Sequence, residues 1–385
     1  RAFWACVLSL CVPANVAVDP SSPDPFAKLR GAVEVLRCEV VVASREVAGR
    51  LEGIFRDDVR VVDVDAATVR AERTTRRGLD ATAGPGDAAY AQLTSGSTGR
   101  PKCILETHGA IIFHIRSSAQ QAGHSPGDVS LNWLPLDHVV PIITCHCADV
   151  YLSRNAVQVP THCILRDPVR WLRAMHQFRV SHSWAPNFGF QLVAEALGTQ
   201  RCPSLTTVRR LMNAGEQVTL EACDAFCAAT GLSSSVLQPA FGMAEVATCV
   251  AYNDMFGEKP SLRVATASFG AAVLRFSRDN EPSYDFVDLG GPAPGVELRI
   301  VGGNGVVLAE KCVGRLQIKG ACCMQGYVGT DEALVDGWLD SGDLGFVYHG
   351  RLHITGRAKE SICVRGQTLF CYDIEASTSR HCLGT

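Results

Sequence analysis

Short runs of β-branched residues alternate with segments of helical spacing over most of residues 1–260. FAKLRGAVEVLR repeats its apolar residues as a helix does, and CEVVVAS and VRVVDVD after it are typical of strands. The same rhythm returns in the helix DPVRWLRAMHQFR and the strand VSHSWAP. Strands separated by helices pair in parallel, because a parallel crossover needs a dozen or more residues. We therefore predict an α/β fold of layered, mostly parallel sheets covered by helices.

The pattern changes after about residue 260. VELRIVGGNGVVLA, GRLQIKGACCMQGYV and LGFVYHGRLHITGR are short alternating runs separated by turns that contain Gly and Asn. Such runs predict antiparallel strands, because two-residue turns connect neighbouring antiparallel strands directly. We predict one large domain over residues 1–357, in which 1–260 form the α/β sheets and 261–357 form a β-rich, barrel-like subdomain.

The first twenty residues, RAFWACVLSLCVPANVAVDP, have the composition of a signal peptide. Pro13 interrupts the apolar run and the chain does not begin with Met, so we predict an internal helix followed by a buried strand, VPANVAV. We expect the sequence to be a fragment, truncated at both ends. No apolar run reaches the roughly 18 to 20 residues of a membrane span.

Charge and cysteine content exclude several classes of protein. The formal net charge is −3 and the basic residues are scattered, which does not favour a nucleic-acid partner. The 17 cysteines include no CxxC pair, so neither a zinc ribbon nor a redox motif is indicated. The CHC segment and the adjacent Cys322 and Cys323 have apolar neighbours, which predicts buried free thiols and a reducing, cytoplasmic location.

The segment TSGSTGRPK, residues 94–102, has no apolar side chain and follows the predicted strand AAYAQLT. A helix, THGAIIFHIRSSAQQAG, comes after it, with Thr107 as its expected cap. Glycines allow backbone N–H groups to approach phosphate oxygens, and Lys adds a charge that suits phosphate. By itself the segment fits a phosphate-binding loop or a surface turn equally well. It is not a Walker A loop, because Lys102 precedes Cys103 rather than Ser or Thr.

Four further segments accompany this loop in order: NAGE (213–216), FGMAE (241–245), SGDLG (341–345) and GRLHITGRAKESICVRG (350–366). With them the chain resembles the adenylate-forming superfamily of acyl-CoA synthetases, acyl-AMP ligases and peptide-synthetase adenylation domains. LNWLPLDHVV and its neighbours most resemble the acyl-ligase domains of polyketide and mixed polyketide–peptide synthases, which are relatives of the fatty acyl-AMP ligases. The resemblance implies a two-step reaction. A carboxylate and ATP give acyl-AMP and pyrophosphate, and a carrier-protein phosphopantetheine thiol then takes the acyl group.

The resemblance also implies roles for individual residues, with ATP and Mg²⁺ as cofactors. Lys102 and Glu245 would be catalytic, with Glu245 as the metal-associated carboxylate. Asp343 would bind the ribose hydroxyls and Arg357 would contact ribose and phosphate, while Phe241 would pack on the adenine. The nucleotide-binding set implied by the motifs is Thr94, Ser95, Gly96, Ser97, Thr98, Gly99, Lys102, Asn213, Ala214, Gly215, Glu216, Phe241, Gly242, Asp343 and Arg357.

The chain departs from the family pattern at one position that matters for catalysis. Ala244 stands where the family usually has a Thr or Ser whose hydroxyl reaches the α-phosphate, and one lost hydrogen bond to a charged group costs roughly 1.5–3 kcal/mol.

The resemblance places the acid pocket at His138, Trp184 and Asn187, with Phe188 beside them. Amino-acid-activating members have an aromatic–Asp pair whose Asp binds the α-amino group. PLDHV does carry Asp137, but its acyl-ligase context disfavours an amino acid substrate.

Lys359 falls at the family's hinge, so residues 358–385 are predicted to be that hinge and the beginning of a truncated C-terminal subdomain. Two alternatives stay open. An acyl-CoA synthetase differs only in its thiol acceptor. A non-catalytic nucleotide-binding remnant is a different class, favoured by Ala244 and the missing cap, and opposed by the intact loop and by Glu245, Asp343 and Arg357.

Overall fold

Parallel strands at the centre of the chain confirm the α/β prediction. A computed structural model describes residues 2–18, 22–51, 53–55, 59–66, 82–94, 102–269, 271–278, 280–330, 334–364 and 367–370. The described residues belong to two units. Arg1–Ile112, Pro135–Ile142 and Met324–Ala333 form the first, and Phe113–Leu134, Ile143–Cys323 and Leu334–Thr385 form the second.

The first unit contains two small sheets. Strands β1 (Val40–Ala43) and β2 (Arg60–Asp63) pair in parallel, and strands β3 (Ala88–Thr94) and β4 (Lys102–Thr107) pair antiparallel. Its helices are α1 (Ala2–Leu8), α2 (Ala27–Leu36) and α3 (Arg45–Leu51). The predicted buried strand VPANVAV is wrong. It makes only an isolated bridge, Ala14 to Ala91, because no strand pairs with the rest of the segment and Val12 stays exposed.

A seven-stranded sheet forms the centre of the second unit. Its strands are β5 (Val129–Asn132), β6 (Asn155–Gln158), β7 (His182–Ala185), β8 (Arg210–Asn213), β9 (Leu237–Gly242), β10 (Cys249–Tyr252) and β13 (Gly291–Pro292). They lie in the order β13-β10-β9-β8-β7-β5-β6, and the five strands from β9 to β6 are parallel. Their carboxyl ends therefore meet at one edge of the sheet.

Helices connect these strands as the sequence predicts. They are α4 (His108–Ala122), a π-helix (Pro141–Cys147), α5 (Ala148–Tyr151), α6 (Thr161–Arg166), α7 (Val169–Gln177), α8 (Asn187–Leu197) and α9 (Leu220–Thr230). Thr107 accepts the N–H of Ala110 at 3.1 Å, which confirms the predicted cap of α4. An aromatic core of Trp133, Trp171, Phe190 and Phe226 packs α7, α8 and α9 against the sheet.

Antiparallel strands dominate after residue 260, as predicted. Strands β11 (Ser261–Ala265) and β12 (Ser283–Val287) form a pair, and β14 (Glu297–Val301), β15 (Gly314–Lys319), β16 (Leu339–Tyr348) and β17 (Arg351–Arg357) form a four-stranded sheet. The last described strands are β18 (Ser361–Val364) and β19 (Gln367–Phe370).

The fourteen cysteines whose side chains the structure describes are all free thiols. Cys145, Cys147, Cys322 and Cys323 are buried, as predicted for small apolar side chains. Within the described parts of the chain, every helix is too short or too polar to cross a membrane.

Candidate functional site

Two neighbouring turns leave the carboxyl edge of the parallel strands. One follows β8 at Asn213 and the other follows β9 at Gly242, and these two strands pair directly. In open α/β sheets ligands bind at this edge, because the loops after adjacent strands enclose a crevice there. The structure thus brings the NAGE and FGMAE segments to adjacent positions in one unit.

The first two residues of the turn after β8 are buried. Asn213 is 0% exposed and donates from Nδ2 to Oδ1 of Asn187 at 3.3 Å, and Ala214 is also buried. Gly215 has a φ of +94°, which favours glycine, and both Gly215 and Glu216 are exposed. The turn is therefore anchored by its buried first residues, and its exposed residues are accessible at the carboxyl edge of the sheet.

Hydrogen bonds of three side chains, those of Asn187, Glu216 and Thr219, connect this turn to helix α8. Glu216 Oε1 accepts the N–H of Phe188 at 2.6 Å, so it caps α8 from outside that helix. Asn187 Oδ1 accepts the N–H of Thr219 at 3.0 Å, and Asn187 Nδ2 donates to Thr219 Oγ1 at 3.2 Å. Thr219 Oγ1 in turn caps α9 at Ala222. The amide of Asn187 is thus engaged by protein groups, and its predicted place in the acid pocket stays a prediction.

The turn after β9 carries Glu245. Residues Ala244–Val246 form one 3₁₀ turn, in which Ala244 and Glu245 are half-buried. Gly242 lies so close to Thr248 that a Cβ would be 1.9 Å from its carbonyl oxygen, so only glycine fits there. Phe241 is half-buried against the core of the sheet, which leaves part of its ring accessible.

Asp343 and Arg357 face each other across β16 and β17. Their Cα atoms are register partners, and Arg357 Nε lies 3.4 Å from Asp343 Oδ1. Asp343 is buried, whereas the guanidinium is exposed. The N–H of Asp343 donates to Ser341 Oγ at 3.0 Å, which fixes the turn before it. Lys359 is exposed in the 3₁₀ turn Ala358–Glu360 directly after β17.

In the first unit, the structure places the two ends of the TSGSTGRPK loop side by side. Thr94 and Lys102 are paired residues of β3 and β4. Lys102 Nζ lies 4.2 Å from the centroid of the Tyr327 ring, a cation–π distance. The other loop residues of the predicted site, Ser95, Gly96, Ser97, Thr98 and Gly99, lie outside the described residues.

The residues predicted for the acid pocket have different surroundings. In the first unit, Asp137 Oδ2 accepts from Lys28 Nζ at 2.5 Å, and His138 Nδ1 accepts the N–H of Val140 at 3.3 Å. In the second unit, Trp184 is buried. Phe188 is 40% exposed at the start of α8 and packs edge-on against Trp133, with ring centroids 6.4 Å apart.

The sequence did not single out a cluster at the opposite, amino edge of the sheet, which we call the amino-edge cluster: His124, Asp128, Asp149, Arg154, His182 and Arg209. Asp128 Oδ2 lies 3.7 Å from Nδ1 of both histidines, a spacing that a metal could accept. Those nitrogens already have partners, because Arg154 Nη1 is 3.1 Å from His124 Nδ1 and Ser181 Oγ is 2.8 Å from His182 Nδ1.

Charge balance explains the amino-edge cluster without a metal. Asp149 pairs with Arg154 at 2.7 Å, and Asp128 pairs with Arg209. Two guanidiniums therefore offset two carboxylates, which would make a further cation unfavourable. Burial lowers the pKa of His124 to about 3 and that of His182 to about 4, so both imidazoles are neutral at pH 7. No local pattern signals the cluster, because its residues come from separate strands, helices and loops of the chain.

Comparisons with known proteins show the family and the fold of the chain. The profile of the family described as AMP-binding enzyme matches residues 9–328. An adenylation domain of a keto acid-selecting NRPS module, bound to keto acyl adenylate, is 31% identical with a TM-score of 0.86, over 97% of this chain and 71% of that one. A structure from a study of fatty acyl-adenylate ligases of E. coli and L. pneumophila shares the fold, with 24% identity and a TM-score of 0.86 over 98% of this chain and 71% of that one.

Among curated proteins, aspulvinone E synthetase melA of Aspergillus terreus is 27% identical over 395 residues, which cover 98% of this chain and 40% of the relative. The chain thus spans about 40% of the length of such relatives. The family match covers most of the sequence and includes three of the five motif segments, namely the TSGSTGRPK loop, NAGE and FGMAE in that order. The segments SGDLG and GRLHITGRAKESICVRG follow beyond residue 328. The chain belongs to the family described as AMP-binding enzyme.

Proposed function

We propose that the protein activates a carboxylic acid with ATP, forming acyl-AMP and releasing pyrophosphate. The observation that carries this proposal is the pair of turns that leave neighbouring strands β8 and β9 at the carboxyl edge, one bearing Asn213–Glu216 and the other Phe241–Glu245. A carboxylate oxygen attacks the α-phosphorus, and the bond from that phosphorus to the bridging oxygen of pyrophosphate breaks. The protein must place two anions together and stabilise the charge that moves onto the leaving group.

The phosphate-binding role falls to the loop between β3 and β4. Thr94 and Lys102 are strand partners, so the two ends of this loop lie side by side. Lys102 would place its ammonium against the β- and γ-phosphates. Glu245 would hold Mg²⁺, for which a carboxylate is a suitable ligand, and the ion supplies charge neutralisation between the phosphates.

The remaining contacts would orient the nucleoside. Asp343 can accept hydrogen bonds from both ribose hydroxyls with its two carboxylate oxygens. Arg357 lies beside it with an exposed guanidinium, which would contact ribose and phosphate. The accessible part of the Phe241 ring and the backbone of Asn213–Glu216 would line the adenine.

The acid is proposed to be a fatty or other acyl acid without an α-amino group. Asp137, the residue expected to bind an α-ammonium in amino-acid-activating relatives, already pairs with Lys28 at 2.5 Å. A paired carboxylate attracts a second cation less strongly, because its charge is partly offset. A 2-keto acid is a specific member of this class, supported by the 31% identity with an adenylation domain that selects keto acids.

A thiol would take the acyl group in the second step and release AMP. We propose the phosphopantetheine arm of a carrier protein as acceptor, since the relatives include nonribosomal peptide synthetases, with CoA as the alternative. Lys359 would serve as the hinge, and residues 358–385 would begin the subdomain that moves between the two steps. A cytoplasmic location is proposed with this function.

Carboxylate-dependent ATP–pyrophosphate exchange on the full-length gene product tests the proposal. The panel contains fatty, aryl, 2-keto and amino acids. Exchange stimulated by a fatty or keto acid, and lost in Lys102→Ala and Glu245→Ala, is the expected result. Measurable ATP binding without exchange for any acid would overturn it and would favour the non-catalytic nucleotide-binding alternative, in which Ala244 removes a contact to the α-phosphate.

A further inference from the structure

Thr248 follows the turn that carries Glu245, and its hydroxyl is fully buried. It is 1% exposed, and its Oγ1 lies 2.6 Å from Nε2 of His114 on helix α4. Thr144 of the π-helix donates from its Oγ1 to the same oxygen at 3.3 Å. The hydroxyl thus joins three elements of the second unit, namely α4, the π-helix and the end of the Glu245 turn.

The backbone of this turn is strained. Ala247 has a φ of +67° and a ψ of −48°, and the N–H of Thr248 donates to the carbonyl of Val246 at 2.9 Å. These values describe a γ-turn with positive φ, which is rare and costs energy for a residue with a Cβ. Such a conformation persists only when surrounding contacts impose it.

Thr248 supplies those contacts through both its backbone and its side chain. Its carbonyl accepts the N–H of Met243 at 2.9 Å, which closes a loop around Ala244 and Glu245. The same carbonyl packs against Gly242, where a Cβ would come within 1.9 Å. The position of Thr248 therefore fixes both ends of the turn.

His114 provides a neutral and immobile anchor for this hydroxyl. It is 3% exposed on a fifteen-residue helix, and burial lowers its pKa to about 4, so the ring is uncharged at pH 7. A neutral imidazole can either donate to or accept from a hydroxyl through Nε2. The bond is therefore retained over the pH range in which the protein would work.

We propose that His114 and Thr248 are positioning residues for Glu245, holding the strained turn so that the carboxylate faces the Mg²⁺·ATP complex. The inference rests on the proposed function, because it takes Glu245 as the metal-associated group. Outer partners that orient a metal ligand typically change metal affinity by about 10- to 100-fold when they are removed.

Equilibrium binding of ATP, with EDTA and then with saturating Mg²⁺, tests the inference by calorimetry on the full-length protein. The readout is the factor by which Mg²⁺ tightens ATP binding, which a general loss of stability would not change. Thr248→Val keeps the shape but removes the hydroxyl, and is expected to reduce this factor about tenfold, while Thr248→Ser restores it. Thr230→Val is the matched control, because Thr230 Oγ1 bonds the carbonyl of Phe226 at the end of α9.

Glu245→Gln separates the two possible failures. If Glu245→Gln abolishes the Mg²⁺ effect and Thr248→Val leaves it within about twofold of the wild type, the positioning role is wrong and the proposed function stands. If Glu245→Gln leaves the Mg²⁺ effect intact, the metal role of Glu245 itself is wrong. Should Thr248→Val fail to fold, His114→Asn decides the test, with a loss of the Mg²⁺ effect supporting the role and its retention overturning it.

Discussion

The carboxylate of Glu216 accepts the backbone N–H of Phe188 at 2.6 Å, so a residue of the turn after β8 caps the helix that follows β7. The contact satisfies an N–H group that has no partner within its own helix, and it places a negative charge at the positive end of that helix. The predicted nucleotide-binding turn and the helix that carries Phe188 are thereby coupled.

Glu216→Ala should lower the free energy of unfolding by about 1 kcal/mol, the usual cost of losing a helix cap. It should also weaken ATP binding, because the turn loses one of its fixed points. Glu216→Gln retains an acceptor oxygen and should lose less stability. Urea denaturation and ATP calorimetry measure the two effects, and an Ala variant as stable as the wild type would contradict the capping role.

Asn187→Ala and Phe188→Ala should separate support of the turn from contact with the acid. Removing the buried amide leaves the Thr219 N–H and the Asn213 amide without their partner, at a cost of about 1–3 kcal/mol in stability. Phe188 is exposed, so its truncation should leave stability nearly unchanged and weaken acid binding by about 1–2 kcal/mol. Unfolding curves and exchange kinetics at varied acid concentration distinguish them. Equal losses of stability in both variants would refute the distinction.

Stability should fall in mild acid because of the amino-edge cluster. His124 and His182 have depressed folded-state pKa values of about 3 and 4, against 6.5 for an ordinary histidine. The unfolded chain therefore binds protons first as the pH falls below about 6.5, while the folded chain does not. The contribution of the two histidines to the free energy of unfolding is fully present above that pH. It is lost towards pH 4, by up to ~1.4 kcal/mol per pH unit for each histidine.

Urea unfolding at pH values from 7.5 down to 5 measures this slope. His124→Asn should reduce the slope of the free energy of unfolding against pH by the contribution of one histidine. His162 is exposed, so His162→Asn should leave the slope unchanged. The buried His114 contributes to the remaining slope in the same direction. An unchanged slope in His124→Asn would mean that this imidazole is not held neutral by burial.

Ala244→Ser should raise the rate of adenylation. The hydroxyl would sit in the 3₁₀ turn beside Glu245, where the family pattern has a contact to the α-phosphate. One hydrogen bond to a charged group contributes about 1.5–3 kcal/mol, which corresponds to roughly a 10- to 100-fold change in kcat/KM. Pyrophosphate exchange at saturating acid measures it. An unchanged rate would indicate that another group already makes this contact.

Lys28→Met should relax discrimination against amino acids. The substitution releases Asp137 from its ion pair, so its carboxylate can attract an α-ammonium group. The amino acid to keto acid ratio of kcat/KM should rise by up to about fivefold, since half-exposed ion pairs contribute about 0.2–1 kcal/mol. An amino acid and the 2-keto acid with the same side chain provide the comparison. Asp137→Asn added to Lys28→Met should remove the gain, and a gain that survives would place the effect elsewhere.

Local patterns in the sequence were sufficient for most of the elements. The β-branched runs CEVVVAS and VRVVDVD form β1 and β2, and VSHSWAP forms β7 of the parallel sheet, because β-branched and aromatic side chains suit a pleated strand. VPANVAV has a similar local composition but forms only the Ala14–Ala91 bridge. A strand requires a partner edge along its whole length, and no local pattern supplies that information.

The sequence by itself determined the motifs and the parallel core, because residue spacing along each segment sets these features. Tertiary structure alone decided which side chains meet. It joined Asn187 to Thr219, Asp137 to Lys28 and His114 to Thr248. Each pair comes from separate segments whose approach is fixed by packing of the whole unit, since a buried polar group is stable only where another element brings its partner.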